Sequence, residues 1–248
     1  ICYHGVMDMF RNPKLAASVY ACEQDEIPVL QITSSMDIGE HPGCNRGNLY
    51  ILSNADSVRM YKNDRFIKEY RPEMSPYKHL KHGPILIDDF IGDALEKNER
   101  FRPKHAKEMA DAMNIVARGS LNHIPKRLYP TALKLVLLYH IDFAEVTKLY
   151  TKYIGDWGGT ATVYRFDAIK DGKVIKSVTK EPVNGIRLQA EADHTNLTEH
   201  HSYDVALVRI RAVDAHGNVL PFYQEPVRIT AEGDIAIIGP DTIALQGG

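Results

Sequence analysis

The spacing of apolar residues changes three times along the chain, and those changes limit its fold more tightly than any other feature. Behind Asn12-Pro13, a capping residue followed by proline at the first helical position, Leu15, Ala16, Val19 and Tyr20 recur at helical spacing. One amphipathic helix is predicted there, ending before Pro28. From Pro28 the runs become short and β-like: Val29 to Thr33, Leu49 to Ser53, Val58 to Tyr61, Phe66 to Tyr70 and Ile85 to Ile87. Asn63-Asp64 joins two of them with residues that tolerate the positive φ of a tight hairpin. The segment from Arg71 to Pro84 reads as a long loop or edge.

Helical spacing then returns. Ala106, Met109, Ala110, Met113 and Ala117 follow Pro103, and Leu133, Val136, Leu137 and His140 follow Pro130. Asp142 precedes Glu145 by three positions, a capping box opening a helix with Phe143, Val146, Leu149, Tyr150 and Tyr153. The run Gly155-Asp156-Trp157-Gly158-Gly159 breaks this pattern. Beyond it, Thr160 to Lys170 and Lys173 to Thr179 flank Asp171-Gly172, a strong hairpin signal. Val183 to Ala192, Ser202 to Val213, Val227 to Glu232 and Ile235 to Ile238 are further strand candidates. Within them Ala206, Val208, Ile210 and Ala212 form one face, and Arg209 and Arg211 the other.

The expected fold is mainly β with a helical insertion. Residues 28–92 and 155–248 are read as two immunoglobulin-like β-sandwiches, 93–154 as a helical segment, and 1–27 as a separate loop and helix. At 248 residues the chain exceeds a usual single domain. The opening segment carries an apolar stripe of Val6, Met9, Phe10, Leu15 and Val19 that a lone loop and helix cannot bury. It is therefore expected to pack against something upstream of Ile1.

Composition excludes some functions. With 30 basic and 32 acidic residues the net charge is −2, so no broad positive field awaits a nucleic acid. Runs such as Leu133 to Tyr139 are too short to span a bilayer, and neither a membrane span nor a signal peptide is expected. Cys2, Cys22 and Cys44 lack zinc-ligand spacing; free thiols are the plainer reading, with one disulfide left open. Neither a metal nor a cofactor is expected: no G-x-S-x-G elbow, glycine-rich phosphate loop or H-E-x-x-H occurs. His194 with Glu199, His200 and His201 reads as a polar loop, and His79 and His82 as solvent-exposed or bonded within their own loop.

Adjacent Asp88-Asp89 cannot serve as a facing carboxylate pair, because neighbouring strand residues point to opposite faces. Trp157 could stack on a sugar ring, although such a residue more often pins a loop to a domain edge. With tyrosines such as Tyr164 and Tyr223 it supports an alternative reading as a carbohydrate-binding module.

Three separated stretches carry a resemblance. The run from Tyr3 to Lys14, with Gly5-Val6, Asp8, Arg11 and Pro13-Lys14, resembles the end of the catalytic TIM barrel in glycoside hydrolase family 2, β-galactosidases included. Asn54-Ala55-Asp56-Ser57-Val58 with Met60-Tyr61-Lys62-Asn63 is similar to the sandwich that follows this barrel. Tyr203 to Asp214, Gly217 to Pro221 and Gly233 to Gly248 resemble the C-terminal sandwich of bacterial members.

The resemblance implies a C-terminal part of a retaining glycosidase, with residues 1–27 as the last loop and helix of its barrel. Both catalytic glutamates would lie upstream of Ile1, so no catalytic residue is assigned. The implied partner is the rest of the parent enzyme, its catalytic barrel, in a bacterial cytoplasm. Bound carbohydrate and a homo-oligomer stay open as further partners.

Overall fold

A computed structural model describes residues 4–9, 11–36, 46–119, 125–139, 142–155 and 161–248. The chain is mainly β with a helical insertion, and it divides into a unit up to Pro182 and a unit from Val183.

The larger unit is built on two antiparallel sheets. β1 (Leu30–Ile32), β2 (Tyr50–Ser53) and β5 (Ile85–Leu86) form one, in the order β1-β2-β5. The other runs β4-β3-β6-β7, with β3 (Ser57–Lys62), β4 (Arg65–Tyr70), β6 (Tyr164–Lys170) and β7 (Lys173–Lys180). The turns are made as their residues dictate. Asn63 and Asp64 take φ of 48° and 60°, and Asp171 and Gly172 take 51° and 73°, the left-handed pairs that close two-residue hairpins.

Sheet membership departs from the expected partition. The 164–180 hairpin, grouped from sequence with the strands after it, is hydrogen-bonded into the sheet of the first β segment. β3 pairs with β6 along the whole of β3, from Ser57↔Ile169 to Lys62↔Tyr164. The alternation explains why: Tyr164, Phe166 and Ala168 are 1%, 0% and 0% exposed, and they complete the apolar face begun by Val58 and Met60.

The helical segment closes the same core. After α2 (Ala94–Glu99), α3 (Pro103–Arg118) begins at Pro103 as expected and buries Ala106, Met109, Ala110, Met113 and Ala117. These join Ile51, Met60, Phe90, Leu95, Tyr164 and Phe166 in one cluster with Leu149, Tyr153 and Ile154. α4 (Tyr129–Tyr139) forms as expected, but Leu133 and Leu137 lie 60% and 61% exposed. Lys134 joins this helix to α3 through Glu108, at 2.7 Å.

α5 (Phe143–Tyr150) is capped by Asp142, whose carboxylate accepts the Glu145 N–H at 2.6 Å. A π-helical turn, Thr151–Gly155, follows and buries Tyr153 and Ile154. Asp142→Ala removes the cap and should lower stability by about 1 kcal/mol. The urea midpoint, followed by far-ultraviolet circular dichroism, measures that loss, and an unchanged midpoint would show the cap to be immaterial.

The unit from Val183 holds two antiparallel pairs. β8 (Arg187–Ala192) pairs with β9 (Val208–Val213), and β10 (Pro226–Arg228) with β11 (Thr242–Ala244). The alternation read from sequence is present: Leu188, Ala190, Ala192, Val208, Ile210 and Ala212 share one side, while Arg211 meets Glu191 on the other at 3.3 Å. Leu188 and Val208 are nonetheless 54% and 52% exposed, since a two-stranded ribbon has no facing layer of its own. Ile235 to Ile238, expected as a strand, is not one; the pairing partner of β10 is Thr242–Ala244.

The turn after β9 is fixed by Asp214, 5% exposed. Its carboxylate accepts N–H bonds from His216 at 2.8 Å, Asn218 at 2.8 Å and the Asn218 side chain at 2.7 Å. Those donors hold its pKa low against the opposing effect of burial.

Candidate functional site

The opening segment is a closed loop followed by a short helix. Asp8 draws the loop together: its carboxylate accepts the Asn12 N–H at 2.8 Å and the Asn12 side-chain N–H at 2.9 Å. The Lys14 N–H donates to the Val6 carbonyl at 2.9 Å, and Met7 bridges Pro13. Arg11 sits at the tip with φ of 62°. Because Asn12 is committed to Asp8, it does not cap the helix; α1 (Leu15–Ala21) starts three residues later, behind Lys14.

The predicted packing residues fall on this element. Met9 is 86% and Leu15 48% exposed, while Val6 and Val19 are half-buried; Phe10 lies outside the described residues. No residue of α1 is buried, and Tyr20 is 71% exposed. Apolar side chains are therefore presented outward along both loop and helix. An isolated helix of seven residues is marginal in water, so this one depends on what it is tied to.

It is tied to the larger unit by a polar strap, residues 22–29. Asn54, 2% exposed, accepts the Val29 N–H at 2.8 Å and donates to the carbonyls of Gln24 at 2.8 Å and Ile27 at 2.9 Å. Gln24 folds the strap on itself: its amide oxygen accepts N–H bonds from Glu26 and Ile27, and its amide nitrogen donates to the carbonyls of Ala21 and Ile27. Lys81 and Lys170 approach Asp25 at 2.6 and 3.6 Å. Cys22 is fully enclosed, and burial pushes its thiol up to about 12, where it is inert as a nucleophile.

The other sequence candidates have structural partners. Asp88 accepts Lys68 at 2.7 Å, and Asp89 accepts Ile91 N–H, Gly92 N–H and the Asn114 side chain. Asn114 in turn accepts the Phe90 N–H, so this carboxylate and amide hold the loop that inserts Phe90 into the core. Tyr164 is buried at 1% and cannot face a sugar; Trp157 lies outside the described residues. His194 stands between Asp193 and Asp204 at 2.9 and 3.8 Å, and His200 and His201 are exposed. Among the described residues no group of three or more His, Cys, Asp or Glu is arranged to hold a metal ion. No described helix is long and apolar enough to cross a membrane.

His79 is exposed as expected, but His82 is not: it is 8% exposed, packed beside the strap. Sequence reasoning missed Asn54, Arg46 and His82 as anchoring residues. For Asn54 a signal existed, since it opens the Asn54-Ala55-Asp56 run singled out above. Asp56 in the same run accepts the Asp171 N–H at 2.8 Å, so this motif fixes both the strap and the β6–β7 turn.

No family model matches the sequence. The chain is 28% identical over 255 residues to a β-galactosidase of Thermoanaerobacterium thermosulfurigenes, covering all of this chain and 27% of that protein. It is 31% identical over 103 residues to a β-galactosidase of Rhizobium radiobacter, covering 38% of this chain and 68% of that one. A solved glycosyl hydrolase family 2 member from Bacteroides cellulosilyticus aligns with 98% of this chain and 27% of its own, at 11% identity and a TM-score of 0.48. The chain thus spans about a quarter of the length of the first of these relatives.

Proposed function

Because this chain belongs to the β-galactosidases of glycoside hydrolase family 2, we propose that it is a non-catalytic accessory region of such an enzyme, docked through its N-terminal loop and helix on the catalytic barrel. The observation that carries this reading is the outward-facing stripe of Met9, Leu15 and Tyr20 on a segment whose attachment to the β unit is buried and polar. A flexible tail would bury its own apolar residues or stay unstructured. A stripe held at fixed orientation suits a partner surface instead.

In this reading residues 1–27 are the last loop and helix of the barrel, and the immunoglobulin-like β units scaffold it. Retaining hydrolysis belongs to the parent enzyme, whose two glutamates this chain does not supply. A bacterial cytoplasmic setting and assembly into an oligomer go with this reading, as does carbohydrate as the parent's substrate.

The purified chain should show no turnover of nitrophenyl β-glycosides under conditions where the full-length parent enzyme cleaves them. Steady hydrolysis by the chain, with contaminating glycosidase excluded, would end this assignment.

A further inference from the structure

His82 occupies an unusual position for a titratable side chain. It is 8% exposed, and both ring nitrogens are enclosed without a hydrogen-bond partner. Its backbone N–H donates to Glu23 Oε1 at 3.3 Å, so the residue sits where the loop from Ser75 to Pro84 meets the strap. That loop is closed on itself. Ser75 Oγ donates to the Pro84 carbonyl at 2.8 Å, and a Cβ on Gly83 would come within 2.6 Å of Ser75 Oγ. The loop therefore has little room to adjust around a changed imidazole.

The charged groups facing His82 come from three elements. Glu23 and Asp25 on the strap favour a protonated ring, while Lys81 beside it and Lys170 at the end of β6 oppose one. Burial is the largest influence and, with Lys81, holds the pKa of His82 below its ordinary value of 6.5 despite the two carboxylates. A neutral ring needs one hydrogen-bond acceptor at most; a protonated ring brings a charge and two N–H donors into a closed site.

We propose that His82 is a proton-sensitive clasp: while its imidazole is neutral the loop 75–84 closes on the strap, and protonation opens that loop and releases the segment carrying α1. The sign follows from the direction of the shift. A histidine whose pKa is depressed by folding contributes stability that is present above the ordinary value. That contribution is lost as pH falls below 6.5 and through the folded value. The proton is taken from solvent, and no bond is made or broken. The clasp would make the hold of this region on its own N-terminal segment dependent on acidity, an effect separate from whether that segment docks on a barrel.

Cys22, fully buried next to Glu23, reports the opening. In the full chain with Cys2→Ser and Cys44→Ser, labelling by 4,4′-dithiodipyridine should accelerate roughly tenfold between about pH 7.5 and pH 5.5, relative to glutathione in the same buffers. His82→Leu should label slowly at both pH values. Glu23→Gln, which removes a carboxylate favouring the charged ring, should move the transition to lower pH and covers the case in which the leucine variant does not fold. A labelling ratio that is flat with pH, a pH dependence that survives in His82→Leu, or a transition that Glu23→Gln leaves unshifted overturns the proposal. So does loss of the β-sheet circular dichroism signal at the same pH, which would mean global unfolding.

Discussion

Arg46→Ala is expected to be among the most damaging single changes in the larger unit, lowering its stability by about 3–5 kcal/mol. Arg46 is 7% exposed, and its guanidinium donates to the carbonyls of Met36 at 3.1 Å and Ile154 at 2.9 Å. It also lies over the rings of Phe90 and Tyr164, at 5.3 and 5.2 Å from their centroids. Truncation leaves two buried carbonyls without these donors and opens a cavity between two core aromatics.

Arg46→Lys should recover little of this. A single ammonium cannot reach both carbonyls as a planar fork does, nor does it have the delocalised charge that suits a place over two rings. Urea unfolding of the three proteins tests the claim; a lysine variant within about 1 kcal/mol of the parent would show that charge alone matters here.

Asn54→Ala should have the second largest effect, about 3 kcal/mol, and a more local one. The side chain holds three backbone groups of the strap at once, with every donor and acceptor directed inward. Alanine takes the Asn54 partner from the Val29 N–H and the Gln24 carbonyl and leaves the Ile27 carbonyl with the Gln24 amide, three groups separated from Asn54 by 25 to 30 residues of chain. Limited proteolysis should then cut within residues 22–29 before the core is attacked, whereas the parent protein should be cut elsewhere first. Asn54→Asp is expected to be no milder, because a carboxylate would face two carbonyl oxygens. If cleavage in the strap is not accelerated, Asn54 does not anchor it.

Local chemistry was readable from the sequence. Asn63-Asp64 and Asp171-Gly172 announced their hairpins because φ preference is a property of the residue. Asp142 and Glu145 announced a helix start because capping acts across three residues. The buried face of α3 followed from periodicity alone.

What escaped reading depends on contacts distant in sequence. Arg46 bonds Ile154 across 108 positions, and nothing near Arg46 marks it as an interior residue. His82 looked like an exposed loop histidine because its partner on the strap that covers it, Glu23, lies 59 residues earlier. Strand assignment failed for Ile235 to Ile238 because an apolar run states a preference for burial, not for a partner. Of the docking stripe, the residue types were legible, whereas the strap that orients them was not.

The pairing of Lys62 with Tyr164 has a consequence for how the chain can vary. The stretch between β3 and β6, which holds β4, β5 and all of the helical insertion, departs from one end of β3 and returns beside it, with Asn63 and Val163 bonded to each other across 100 positions. Its two ends are thus pinned together as the ends of a long excursion. For such an excursion, closure entropy grows only logarithmically, about 0.6 kcal/mol for each doubling of length. Extra turns of helix added far from the shared core would hardly disturb the sheet, so this is where lineages of the protein can differ in size. The slow step in folding should be bringing those two ends together, since neither β6 nor β7 can join the sheet until they meet.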